Sequence, residues 1–192
     1  LDIYRGPIYL GFADYFARGF INMSDFDEPV PNNSMNHKKT HGNHEQDIKE
    51  RIHELAGGQL FGVLCTQVDM QPYGSMIGFA FSDDLKYAVF ATPKSTRKYN
   101  NLTQCHNVAL VVDNREKHPA ELMKIEAFTA TGIAEEIVDK KAESYWANLL
   151  INKQSYLRKF LESSTTALFR IKIIRYFYVC SFQEVREWIP GQ

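Results

Sequence analysis

Four short apolar segments crowd into just over fifty residues: LFGVLCTQV, SMIGFAFS, KYAVFAT and NVALVVD, between Leu60 and Asp113. Each has the length and the β-branched and aromatic content of a strand, and turn residues bound each one. Most of the connections are too short for the parallel crossover of a dozen or more residues, so the pairing must be mainly antiparallel. The turns are expected around Pro72 and Gly74 and at Asp83-Asp84, which makes the first three strands a meander. Later, KIEAFTATGIAEEIV offers a long strand, and TALFRIKIIRYFYVCSFQEVREW offers one bent strand or two. Six or seven antiparallel strands with few helices predict a mainly β fold, a small closed barrel flanked by helices, because closure removes exposed edges.

The helical segments are fewer. Ile48, Ile52 and Leu55 fall at i, i+4 and i+7 and predict an amphipathic helix, capped by Asn43 with Gln46 and stopped at Gly57-Gly58. A short helix is expected after Thr92. A longer one runs from Asp139 to about Leu161, with Tyr145, Trp146, Leu149 and Leu150 on one side and a break near Asn152. Residues 1–45 read as an N-terminal arm or linker, aromatic at first and then polar, and residues 46–192 as the barrel domain. No period of 20–50 residues repeats.

Over 192 residues the net charge is only −1, so global attraction to nucleic acid or to an anionic membrane is not expected, and any anion site must be local. No apolar run reaches the roughly 18–20 residues of a membrane helix, and no secretory leader is recognisable. Cys65, Cys105 and Cys180 are scattered in apolar surroundings and read as reduced thiols of the core, or for Cys65 and Cys105 of its boundary. The expected compartment is the cytoplasm. His37, His41 and His44 suggest a metal site only weakly, since a solvated polar loop accounts for them equally well.

One stretch resists a purely structural explanation. In FATPKSTRKYNNL, Lys94, Arg97 and Lys98 gather where a helix should begin, although a helix N-terminus already carries partial positive charge. A solvated basic turn, pairing with Glu135 or Glu136, or a bound anion would each account for them. The anion reading draws on free N–H groups, the helix dipole, the cations and the hydroxyls of Thr92, Ser95 and Thr96 acting together.

Residues Phe61 to Asp113 resemble the FMN-binding split barrels of the pyridoxamine 5′-phosphate oxidase-like superfamily. The shared order is strand, polar turn, strand, hairpin, then strand–Thr–turn–Ser/Thr–Arg–Lys–helix–strand. AFTATGIAEEI and RYFYVCSFQEVREW resemble the closing strands, so the resemblance covers about residues 47–189. It implies a homodimer of six-stranded antiparallel split barrels with FMN at the subunit interface. Arg97 and Lys98 would grip the FMN phosphate, Thr92 and Thr96 would donate hydroxyl hydrogen bonds, and Lys94 and Ser95 would lie in the same turn. Met76, Ile77, Gly78 and Phe79 would run beside the isoalloxazine ring, with Gly78 letting the ring approach the backbone unless it is merely a glycine at a barrel bend. Trp188 would either cover the ring from the partner subunit or simply pack.

The resemblance further implies an oxidoreductase or flavin reductase acting on an unidentified small-molecule substrate or electron donor. The true oxidases of the family carry a C-terminal Arg–x–His element, which FQEVREWIPGQ lacks, so pyridoxamine phosphate oxidation is not expected. A non-catalytic flavin-binding module for sensing or storage is one alternative. A haem-binding split barrel is another, with His37, His41, His44 or His118 as axial ligand. His53 and His106 are possible proton donors but read better as surface residues.

Overall fold

The computed structural model describes residues 43–118, 120–180 and 184–191. The expected arm over residues 1–45 lies outside them except for its last three residues, which open helix α1 (Asn43–Gly58). Ile48, Ile52 and Leu55 are buried, so the predicted stripe faces the core, and the helix ends at the Gly57-Gly58 pair.

Strands β1 (Phe61–Val68) and β2 (Gln71–Phe81) form a hairpin closed by the pair Val68↔Gln71. The turn is therefore Asp69-Met70, not the expected Pro72–Gly74. Both turn residues have positive φ, 49° and 60°, as a two-residue turn that follows the right-handed strand twist requires. Pro72 instead pairs with Gln67 inside the hairpin. The alternation of antiparallel bonds leaves a residue next to the closing pair without a ladder N–H to donate, so proline costs nothing there.

Strand β3 (Tyr87–Pro93) completes the meander, and helix α2 (Arg97–Gln104) carries the chain across to β4 (Asn107–Asp113), which pairs with β1. Strand β5 (Ala127–Glu136) follows, and the C-terminal region resolves into two strands, β6 (Thr166–Cys180) and β7 (Glu184–Trp188). The sheet order is β3-β2-β1-β4-β5-β6-β7, and β3 also pairs with β6. Six antiparallel strands therefore close into a barrel, with β7 added outside β6. A bulge between Thr131 and Gly132 bends β5, and Gly132 is required there because a Cβ would strike the Lys172 carbonyl.

The barrel core is aromatic. Phe79, Phe90, Phe128, Phe169 and Tyr176 are fully buried, and Phe90 stacks on Phe169 with ring centroids 5.4 Å apart. The Tyr176 hydroxyl donates to the Leu85 carbonyl at 2.7 Å, so its burial leaves no polar atom unpaired. A second apolar cluster lies where helix α3 (Lys140–Lys153) brings Trp146 and Leu150 onto Ala80, Val89 and Leu168. Tyr145, expected on that same side, is exposed. Adjacent helical residues project about 100° apart, and Trp146 takes the inward place.

The break expected near Asn152 comes at Gln154, followed by a 3-10 turn and the short helix α4 (Arg158–Leu161). The three cysteines are free thiols, each only partly buried, so they sit at the edges of the core rather than within it.

Candidate cofactor-binding site

The basic turn is built by two threonines. Thr96 is the N-cap of α2, extended at φ −91° and ψ 154°, and its Oγ1 accepts the Tyr99 N–H at 3.3 Å. The same hydroxyl donates to the Pro93 carbonyl at 2.9 Å and lies 2.9 Å from the hydroxyl of the fully buried Thr92. These contacts tie the end of β3 to the start of α2. They leave the first N–H groups of the helix without intrahelical acceptors.

The three cations divide. Lys94 Nζ lies 3.4 Å from Glu136 Oε1, while Glu136 Oε2 accepts the Tyr99 hydroxyl at 3.1 Å. Pairing with an acidic side chain thus accounts for one cation of the three; Glu135 is taken by Arg170 at 2.8 Å. Among the described residues no carboxylate forms an ion pair with Arg97 or Lys98. Burial pulls the Lys98 ammonium below its ordinary lysine value, with no opposing charge to hold it up. Ser95 is exposed beside them.

Arg97 finds a partner that the sequence reading missed. Its guanidinium lies over the Tyr73 ring, 5.3 Å from the centroid, and so links the basic turn to β2. A turn placed at Pro72–Gly74 had hidden Tyr73. With the turn at Asp69-Met70, Tyr73 becomes a strand residue directly opposite Thr66.

The β2 residues expected beside a flavin ring point to both sides of the sheet. Ile77 and Phe79 are buried in the barrel core, whereas Met76 is 71% exposed on the outer face. Gly78 shares that outer face, and the space of its missing Cβ is taken by the Gln154 carboxamide, with which a Cβ would collide. Gln154 is buried; its Nε2 donates to the Leu60 carbonyl at 2.6 Å and its Oε1 accepts the Tyr156 hydroxyl at 2.8 Å. A need for close packing against an internal amide therefore explains the glycine. Next to it, Lys153 Nζ donates to the Ala56 carbonyl at 2.6 Å and stands 3.9 Å from the Phe79 ring centroid, and burial pulls its pKa down to about 8.

Trp188 stacks on Tyr176 of its own chain at 5.3 Å and is nearly buried, so it packs within the subunit. His118 faces Glu121 at 3.7 Å, and His53 and His106 are exposed. His37, His41 and the side chain of His44 lie outside what is described. Among the described residues no His, Cys, Asp or Glu cluster is arranged to hold a metal, and no helix is long and apolar enough to cross a membrane.

Comparison with known proteins gives the wider setting. No curated protein matches the sequence. Among solved structures the chain is similar to a haem-binding protein from Mycobacterium smegmatis, at 12% identity and a TM-score of 0.66, over 74% of this chain and 57% of that one. It is also similar to general stress protein 26 from Bacillus anthracis, at 17% identity and a TM-score of 0.56, over 74% of this chain and 98% of that one. An FAD-binding protein from Mesorhizobium loti aligns at 17% identity and a TM-score of 0.55, over 67% and 91%. Identities this low carry the fold alone. The sequence itself matches a family model described as pyridoxamine 5′-phosphate oxidase over residues 48–180, and the chain belongs to that family.

Proposed function

We propose that this protein binds FMN, with the flavin phosphate seated at the start of α2, and that it works as a flavin-dependent oxidoreductase or flavin reductase. The observation that carries the reading is Lys98: a partly desolvated cation beside Arg97, with no carboxylate paired to either among the described residues. An anion there would relieve a cost that the protein otherwise bears, and each charge-assisted hydrogen bond it accepted would be worth about 1.5–3 kcal/mol. Arg97, Lys98 and the first N–H groups of α2 would hold the phosphate. Thr92 and Thr96 would shape the turn, Ser95 would add an exposed hydroxyl, and Lys94 would stay with Glu136.

The isoalloxazine would lie along the outer face of β2 beside Met76 and the backbone of Ile77, stopping short of the Gln154 side chain that covers Gly78 and the Phe79 carbonyl. Because that face of the strand is exposed at Met76, a second copy of the chain would complete the pocket, making a homodimer with FMN at the interface. The flavin would supply the redox chemistry, and the chain's residues its position and surroundings. The small-molecule substrate or electron donor would enter over the exposed ring face.

Haem is the competing ligand, since the fold is shared with a haem-binding protein. The flavin reading is preferred because His53 and His106 are exposed and His118 is turned to Glu121, whereas Arg97 and Lys98, without a carboxylate partner among the described residues, suit a phosphate. The test is the absorption spectrum of the purified protein and a fluorescence titration with FMN. Flavin bands and saturable quenching are expected. A protein that quenches no FMN and gains a Soret band with haem would overturn the reading.

A further inference from the structure

We infer that Tyr73 is a positioning residue of this phosphate site: its ring fixes the Arg97 guanidinium, and the α2–β1 contact fixes the ring. The inference rests on the FMN reading above and adds a residue to it. Arg97 and Asn101 stand at i and i+4 on α2, so they project from one face of the helix. Thr66 and Tyr73 are directly opposed across the β1–β2 hairpin, so they project from one face of the sheet. The two faces meet twice. Asn101 Nδ2 donates to Thr66 Oγ1 at 3.0 Å, and the Arg97 guanidinium covers the Tyr73 ring at 5.3 Å.

The first contact is buried: Asn101 and Thr66 are each 2% exposed, and Thr66 in turn donates to the Tyr73 carbonyl at 3.4 Å. A buried polar pair is costly to break, so it sets helix and hairpin in one relation. The second contact is at the surface, where an unsupported arginine would sample many rotamers. A ring beneath it restricts the guanidinium to one plane and leaves its N–H edge open for two parallel bonds to a phosphate. Tyr73 thereby lowers the ordering cost of binding without touching the ligand.

The experiment is a double-mutant cycle on FMN affinity, using Tyr73→Leu, Arg97→Ala and the two combined, with Tyr73→Phe as the conservative control. Tyr73→Leu is expected to weaken FMN about two- to fivefold, the strength of an exposed cation–π contact, and Tyr73→Phe to stay near the parent. In the Arg97→Ala background Tyr73→Leu should change nothing further. A ligand-free readout accompanies the cycle: the Arg97 δ-methylene protons should show an upfield ring-current shift, kept in Tyr73→Phe and lost in Tyr73→Leu. Equal penalties for Tyr73→Leu in both backgrounds, or no ring-current shift, would overturn the inference while leaving the FMN reading intact. If Arg97→Ala alone leaves FMN affinity unchanged, the FMN reading fails and this inference falls with it.

Discussion

Replacing Arg97 with Ala and Lys98 with Met should separate binding from folding. Lys98 is partly buried, so Met preserves the packing of its aliphatic stem while removing the charge. On the ligand side, two charge-assisted bonds at about 1.5–3 kcal/mol each amount to roughly 3–6 kcal/mol. At about 1.4 kcal/mol per decade, FMN affinity should fall roughly a hundred- to ten-thousand-fold. On the folding side the terms are small and opposed. The Arg97–Tyr73 contact is worth about 0.5–1 kcal/mol, and removing the desolvated Lys98 charge acts in the opposite direction. The melting temperature of the ligand-free variant should therefore stay within about 3 °C of the parent. Fluorescence titration and thermal melting, both at fixed ionic strength, read the two sides. A variant that binds FMN within threefold of the parent would refute the assignment of these two side chains. One that melts far below the parent would show them to be structural.

Gln154, Met70 and Lys153 can each be tested independently of the flavin. Gln154→Leu deprives the Leu60 and Phe79 carbonyls and the Tyr156 hydroxyl of their partner, so denaturant melts should show a loss of roughly 2–4 kcal/mol; a loss under 1 kcal/mol would show that the amide is not holding these strands. Met70 is 82% exposed at φ 60°, so Met70→Gly gives up no packing and relieves left-handed strain, and stability should rise by about 0.5–1 kcal/mol in the same assay. Lys153, with its pKa lowered to about 8, makes the folded protein bind fewer protons than the unfolded chain between about pH 8 and its ordinary value of 10.5. The sign follows: the Lys153 penalty is fully present below pH 8 and fades as pH rises through that window, so stability gains with pH there. Lys153→Met should flatten that part of the stability profile; an unchanged profile would place the titration elsewhere.

Most of the barrel was legible because its strands announce themselves locally. NVALVVD and KYAVFAT are bounded by turn residues, and their antiparallel pairing follows from short connections. Ile48, Ile52 and Leu55 made α1 equally plain. What escaped was decided by register and by distant contacts. The β1–β2 turn was misplaced because Pro72 and Gly74 are strong turn formers, whereas Asp69-Met70 must adopt left-handed backbone without a glycine. That slip concealed Tyr73.

Gly78 suits either a ring against the backbone or a bend in the barrel, yet its space is filled by Gln154, 76 residues away in sequence, and nothing local could reveal it. At the basic turn, the unfavourable placement of Lys94, Arg97 and Lys98 was visible from charge alone. Only the folded chain separates Lys94, neutralised by Glu136, from the two cations left without a carboxylate among the described residues.

The claim on which the rest depends is that this site reads a phosphate, and parallel titrations with FMN and riboflavin test it most directly. The two ligands share the ring and the ribityl chain and differ in the phosphate. Two charged bonds and the helix N-terminus predict that FMN binds at least about a hundredfold tighter than riboflavin. Equal affinity for the two flavins would contradict the account.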